Sequence, residues 1–402
     1  MTIYTLNQIN FKVNLTYGGG HMQDEEGANQ SAFFVQFVFW GIILPLVVAI
    51  GLVGNVLTII VLWRREMQSP TIFYLRGLVI TDTGILIMSV IVLTPYSMSN
   101  YLTTAPPLIY YKQMVYPVLH TPMNFIIMAL QTSNVWITVA VSVERYIAIC
   151  HPFRAARICT KQKALIVIIV IGVISVGYNI PRLFATHVRD CKEEEKEHGQ
   201  ECFALADTAF GTTYYYKTVY SNIMYCIIIY VIPLAVLFVL NVFILKELMR
   251  MQKRRSGSNI HEENEANLSL VLVLIVVVFI FCQTPGLVAQ FDIFTLPTFL
   301  KWLAVSNTLF VLNSAVNFLI YTAFGRRFRQ VLLRVFRKIV KSTRSLSLSP
   351  TRAITINGYE LTAINDMNDT PSTIETYCPE KSTHNGISSR ILLFQGRRNL
   401  LI

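Results

Sequence analysis

Charge is what this sequence is short of. Only 14% of its 402 residues are Asp, Glu, Lys or Arg, against 53% hydrophobic, whereas soluble domains carry about 25% charged residues. That deficit excludes a soluble globular protein and makes the chain a membrane protein. The N-terminal stretch NQINFKVNLTYGGGHMQDEEGANQ lacks the apolar core of a signal peptide, so the first apolar run must itself direct insertion. The 7 cysteines are scattered, and no pair has zinc-ligand spacing. No internal repeat is evident, which counts against a repeat-built transporter. No paired His, Cys or Asp chemistry falls in the apolar runs, which counts against an intramembrane enzyme.

What the sequence has in quantity is apolar runs that reach bilayer length, roughly 20 residues each. They lie at about 35–63, 73–96, 116–143, 164–180, 219–245, 268–294 and 302–324. The expected fold is therefore all-α, a seven-transmembrane helix bundle. Four regions follow: a head (1–34), the seven-span core (35–324), an amphipathic basic segment (325–340) and a Ser/Thr-rich tail (341–402) expected to be disordered. In the basic segment Phe324, Phe328, Val331, Leu332, Val335 and Ile339 fall at helical spacing among Arg and Lys, the pattern of a helix lying on a membrane surface.

Basic residues set the orientation. With the N-terminus outside, 26 of the 34 Lys and Arg lie on the cytoplasmic side, as the positive-inside rule requires. The pI near 9.3 then reflects a basic inner face, and no nucleic-acid partner need be invoked. The sequons at Asn14 and Asn29 stand in the outer head and read either as N-glycosylation acceptors or as chance tripeptides. Cys191 and Cys202 share the long outer loop, where a disulfide persists; two free or otherwise paired thiols are the alternative. The tail run STRSLSLSPTRA offers phosphate acceptors.

Polar groups inside the spans are costly and point to function. The first three spans carry Asn55, Asp82 and Asn134 in turn, and the seventh carries Asn313, Ser314, Asn317 and Tyr321. Asn313 and Asn317 are four apart and share a helix face. Asp82 needs a cation, a proton or several amide donors. The third span ends in VSVERYIAICHPF, where Glu144 and Arg145 are adjacent beside Tyr146; lying where the span leaves the membrane, they are expected not to be a deeply buried pair.

Together GN in span one, LxxxD in span two, ERY with His-Pro after span three, Pro233, FxxCxxP (Phe279, Cys282, Pro285) and NSxxNxxxY resemble the rhodopsin-like G-protein-coupled receptors over roughly 35–340. The resemblance implies that Arg145 is held by Glu144 at rest, helped by Glu265, and released to a heterotrimeric G protein. It implies a sodium pocket of Asp82, Asn134, Asn313, Ser314 and Asn317, with no other cofactor. Val135, Pro233 and Phe279 match its packing switch and Tyr321 its inward-swinging tyrosine, while Pro285 marks the span-six motif. Kinase and arrestin become partners of a phosphorylated tail, in a plasma-membrane protein with its C-terminus in the cytoplasm.

Departures from the pattern are as specific. Phe318 replaces the usual span-seven proline, Gln283 the span-six tryptophan, Asn241 a span-five tyrosine, and His120 the cysteine that tethers span three to the outer loop. The missing tether strengthens the case for Cys191 with Cys202. Ile127 stands where amine receptors carry an aspartate and Val311 where opsins carry a lysine, which argues against both ligand classes.

The acidic, aromatic outer loop suits a short peptide bearing Arg and Phe. Gln131, Gln283 and Gln290 are expected to face inward, with Asn124, Tyr220, Asn222, Tyr225 and Asp292 near the outer rim. QTSNVWITVAVSVERYIAICHPFRA and YNIPRLF are similar in closer detail to invertebrate FMRFamide-type neuropeptide receptors. A small-molecule chemosensory receptor of the same fold is the alternative, and a seven-span ion transporter a more distant one.

Overall fold

The computed structural model describes residues 22–191, 201–253, 260–291, 293–347, 354–356, 359–363 and 374–377. Among them are 7 helices long and apolar enough to cross a membrane: α1 (Asn29–Leu62), α2 (Pro70–Tyr101), α3 (Pro106–Cys150), α4 (Lys161–Phe184), α5 (Tyr215–Met251), α6 (Asn267–Val288) and α7 (Leu296–Phe324). Six of them are longer than the apolar runs, whereas α6 ends at Val288, short of the expected 294. Backbone hydrogen bonding continues beyond the hydrocarbon-length stretch, and the chain is helical already from Met22. The inner end of α6 likewise begins at Ile260.

Local signals explain most of the starts. Pro70 opens α2 behind Ser69, whose Oγ accepts the amide hydrogen of Ile72 at 3.4 Å, and Thr160 caps α4 through Lys163 in the same way. Pro95 lies inside α2, Pro122 inside α3 and Pro285 inside α6, each removing one ladder bond. Helix α7 has proline only in its first turn, because Phe318 fills the inner position. Its ring side instead packs on helix α1: a Cβ placed on Gly54 would come 2.8 Å from that of Phe318.

Packing divides into clusters above and below a polar layer. Ile85 and Leu86 belong to one cluster, with Trp40, Tyr116, Leu303 and Val311. Leu78 and Val79 belong to another, with Ile137, Leu272, Tyr321 and Phe328. Asp82 stands between those pairs on α2. A third cluster joins α3, α5 and α6 through Val135, Tyr225, Tyr230 and Phe279. Helix α4 is the most peripheral span, showing Ile166, Val173 and Ile174 outward, an apolar surface suited to lipid.

Between α4 and α5 the chain forms an antiparallel hairpin, β1 (Thr186–Asp190) with β2 (Phe203–Asp207), pairing Thr186 with Asp207 and Asp190 with Phe203. Cys191 and Cys202 are disulfide-bonded at its loop end, next to the Asp190–Phe203 pair, with Cα atoms 5.4 Å apart. After α7, helix α8 (Arg326–Ser347) follows directly on Gly325.

The chain divides into two units, Met1–Leu332 and Leu333–Ile402. The second contains the remainder of α8 and three short antiparallel strands, β3 (Ile354–Ile356), β4 (Tyr359–Ala363) and β5 (Ile374–Tyr377), in the order β3-β4-β5.

Candidate functional site

At the end of the bundle away from the hairpin, Arg145 grips Glu144 with a two-point fork. Nε donates to Oε2 at 2.8 Å and an Nη to Oε1 at 2.7 Å. The pair is 4–5% exposed, which corrects the expectation that it would escape deep burial. Its location at the helix end is right, but α2 closes over it: Thr71 Oγ1 donates to Glu144 Oε2 at 3.0 Å. Two opposite charges bonded in this geometry satisfy one another, so burial is tolerated where a lone ion would cost several kcal/mol.

Tyr146 points aside, edge-on to His151 and Phe243. Burial, with the Glu144 carboxylate nearby, pushes the Cys159 thiol above its ordinary range. Glu265 falls on the helical approach to α6, but its side chain lies outside the described residues.

Midway through the bundle, Asp82 is 1% exposed and takes one amide on each oxygen, Asn134 Nδ2 on Oδ1 and Asn317 Nδ2 on Oδ2, both at 2.7 Å. Asn134 Nδ2 also reaches Thr81 Oγ1 at 3.0 Å. Ser314 Oγ is buried beside the same carboxylate without a hydrogen bond of normal geometry. Asn313 is buried but is not one of the carboxylate's hydrogen-bond partners. Oxygen-rich and anionic, the layer fits a hard monovalent cation in kind. Tyr321, 4% exposed, packs its ring 5.4 Å from that of Phe328 at the start of α8.

Nearer the hairpin stand three buried amides. Gln131, Gln283 and Gln290 are 1%, 2% and 9% exposed. Tyr225 donates its hydroxyl to Gln131 Oε1 at 3.2 Å, which leaves Gln131 Nε2 buried without a partner, as is Gln283 Nε2. Asn124 Oδ1 and both ring nitrogens of His120 are also buried and unpartnered. Native interiors hold few such atoms. Others in the described residues are Asn55 Oδ1, Asn100 Nδ2, the Tyr178 hydroxyl, Asn307 Nδ2 and Ser314 Oγ, so such atoms occur in α1, α2, α4 and α7 as well as in α3 and α6.

Tyr220 and Asn222 are half-buried on the opening turns of α5, whereas Asp292 lies outside the described residues. Phe279 is 1% exposed beneath Gln283 and packs with Val135 and Tyr230. Pro285 accepts Trp302 Nε1 at 2.8 Å, tying α6 to α7. Asn241 bonds its own helix at Leu237 O, 2.7 Å. Of the sequons, Asn29 opens α1 and is half-buried; Asn14 lies outside the described residues.

The tether missing at His120 has a substitute one residue on, where Thr121 Oγ1 and Thr186 Oγ1 are 2.7 Å apart and fix strand β1 to α3. Sequence reasoning missed this bond, as it missed Thr71, because each joins segments distant along the chain. Their only signal was a hydroxyl on a helix face.

The family model described as 7 transmembrane receptor (rhodopsin family) matches residues 54–321. Similar proteins include the FMRFamide receptor of Drosophila melanogaster, 32% identical over 305 residues covering 76% of this chain and 55% of that one. Neuromedin-U receptor 2 of Mus musculus is 26% identical over 321 residues, 74% of each. FMRFamide peptide receptor frpr-18 of Caenorhabditis elegans is 26% identical over 308 residues, 72% of this chain and 67% of that one. The chain thus spans just over half the length of the Drosophila relative.

Proposed function

Because the chain belongs to the rhodopsin family of seven-transmembrane receptors, we propose that it is a plasma-membrane receptor for a short extracellular peptide of Arg-Phe-amide type that activates heterotrimeric G proteins. The hairpin end faces outside and the Arg145 end faces the cytoplasm. The observation that carries the reading is the buried, self-neutralised Glu144–Arg145 fork. A cation held this way is absent from the inner surface until α6 moves outward, and opening exposes it to a docking helix of the G protein.

The ligand acts by binding the open state better than the closed one, which is all that a shift of population requires. Its amide groups complement the unpartnered Gln131 and Gln283. Insertion between α3 and α6 displaces Phe279 and the α6 kink at Pro285, which transmit motion to the far end. Asp82 with Ser314 would hold a sodium ion, supplying a positive charge that favours the resting packing. Helix α8 lies on the inner membrane surface, and the tail beyond it takes phosphate and recruits kinase and arrestin.

The similarity to receptors named for FMRFamide supports the ligand class. A panel of Arg-Phe-amide peptides applied to cells expressing the receptor, read by calcium or cAMP, tests it. A saturable response to amidated peptides and none to their free acids is expected. Silence across the panel contradicts the ligand class, and a response to small organic molecules alone supports the chemosensory alternative.

A further inference from the structure

Arg182 is a buried arginine that pairs with no carboxylate among the described residues. It sits at the hairpin end of α4, 8% exposed. Among the described residues the ion pairs join Arg145 to Glu144, Lys217 to Asp207 and Arg250 to Glu247, and none involves Arg182. Its one hydrogen bond of normal geometry runs from Nε to Asn179 Oδ1 at 3.0 Å. Asn179 is itself fixed, donating to Ser175 O at 2.8 Å and to Thr132 Oγ1 of α3 at 3.1 Å. The guanidinium is therefore held in one orientation from behind, with its two Nη groups free of any carboxylate.

Around it stands a box of tyrosines. The guanidinium carbon is 5.4 Å from the ring centroids of both Tyr220 and Tyr225. Tyr216 stacks on Tyr220 at 5.4 Å, and Tyr178 lies 5.3 Å from Tyr220. Tyr220 spends its hydroxyl hydrogen on Tyr178 O at 2.6 Å, while the Tyr178 hydroxyl is buried with no partner. The cluster thus offers two guanidinium NH2 groups and a phenolic O–H, and among the described residues no carboxylate is bonded to them, Asp207 being paired with Lys217. Aromatic faces attract the cation, and the Tyr220 hydroxyl oxygen lies beside it as a weak acceptor, but neither supplies the opposite charge that a guanidinium takes in a buried site.

A buried charge persists when something pairs with it, and a fork of donors in fixed geometry is suited to a carboxylate. Tyr225, which forms one wall, also bonds Gln131, so this box adjoins the amide-lined site. We propose that Arg182, with the Tyr178 hydroxyl, is the receptor's subsite for a carboxylate carried by an Asp or Glu side chain of the peptide ligand. The proposal rests on the peptide-receptor reading and specifies it: the ligand is amidated at its end and acidic upstream.

Two measurements test this in the full-length receptor. Arg-Phe-amide peptides are made in matched pairs, Asp or Asn at each upstream position, and assayed on the wild type and on Arg182→Gln. For at least one position the Asp peptide is expected to be the more potent on the wild type and to lose roughly 10- to 100-fold on the variant, while its Asn partner is unchanged. Equal losses for both peptides, or no preference for Asp at any position, overturn the subsite. The second measurement needs no ligand. If the cation awaits a partner, Arg182→Met leaves the unliganded receptor's Tm in detergent unchanged or raised; a fall of several degrees assigns Arg182 to packing and overturns the proposal. Wild-type silence to every peptide defeats the peptide-receptor reading, and the Tm measurement then decides the character of Arg182 by itself.

Discussion

On the receptor reading Glu144 holds the resting state, because it forks a guanidinium that is only 4% exposed. Replacing it by Gln leaves that cation buried and half-bonded, a loss of about 3–5 kcal/mol when one partner of such a pair is removed. The closed state bears the loss, so the Glu144→Gln receptor is expected to signal without ligand, by about tenfold for each 1.4 kcal/mol that the closed state loses. Basal cAMP or inositol phosphate, normalised to surface expression, reads this; unchanged basal output contradicts the latch. Thr71→Val removes one hydrogen bond to the same carboxylate, about 1 kcal/mol, and is expected to raise basal output less. Asp82 behaves differently. Asp82→Leu strands the amides of Asn134 and Asn317, each a loss of about 1–3 kcal/mol, so surface expression and Tm should fall, and Asp82→Asn should fall less. At this scale the sequence disclosed what repeats within one helix. Asn313 and Asn317 were visible as a face, yet only Asn317 reaches Asp82. The burial of Glu144 was not visible, because it depends on Thr71, 73 residues away.

Between elements, close approach and clasping side chains decide the geometry. Helices α1 and α7 touch along glycine: a Cβ on Gly51 would come 2.7 Å from that of Ala315 and 3.0 Å from its Cα. Gly51→Leu must therefore push the helices apart, and surface expression is expected to collapse, whereas Gly172→Leu, which meets nothing within 4 Å, is tolerated. Asn267 at the inner end of α6 makes a second kind of contact. Its Nδ2 donates to Phe324 O at 3.1 Å and its Oδ1 accepts the amide of Arg326 at 3.0 Å, satisfying groups at the junction of α7 and α8. Outward movement of α6 breaks both bonds, so Asn267→Ala should raise basal signalling and agonist potency several-fold at unchanged expression; lower basal output would contradict this. On the hairpin, Cys202→Ser opens a loop whose cross-link is worth about 3 kcal/mol, and loss of ligand potency with retained expression is expected. The pairing of Cys191 with Cys202 was legible from two cysteines in one loop. The hairpin itself was not, since its strands are five residues each and carry no clean alternation.

Across the whole molecule, the fold was readable because lipid imposes long apolar helices and little else. Seven runs in the sequence became seven spans, with ends displaced where helices outran the hydrocarbon length and, in α6, where the helix ended at Val288 before the run did. Function was less readable because it lies in relations across the bundle. The fork at one end, the carboxylate layer at mid-depth and the unpartnered amides near the hairpin are separated by packed clusters, and such a molecule conveys a signal only if binding at one end biases the state of the other. The central claim is that peptide binding releases Arg145. Nucleotide exchange on purified G-protein heterotrimer, driven by membranes containing wild type or Arg145→Ala, tests it most directly when labelled-peptide binding is measured on the same membranes. The account predicts peptide-stimulated exchange with the wild type, and undiminished peptide binding without stimulated exchange for Arg145→Ala. Full peptide-stimulated exchange from the Arg145→Ala receptor would contradict it.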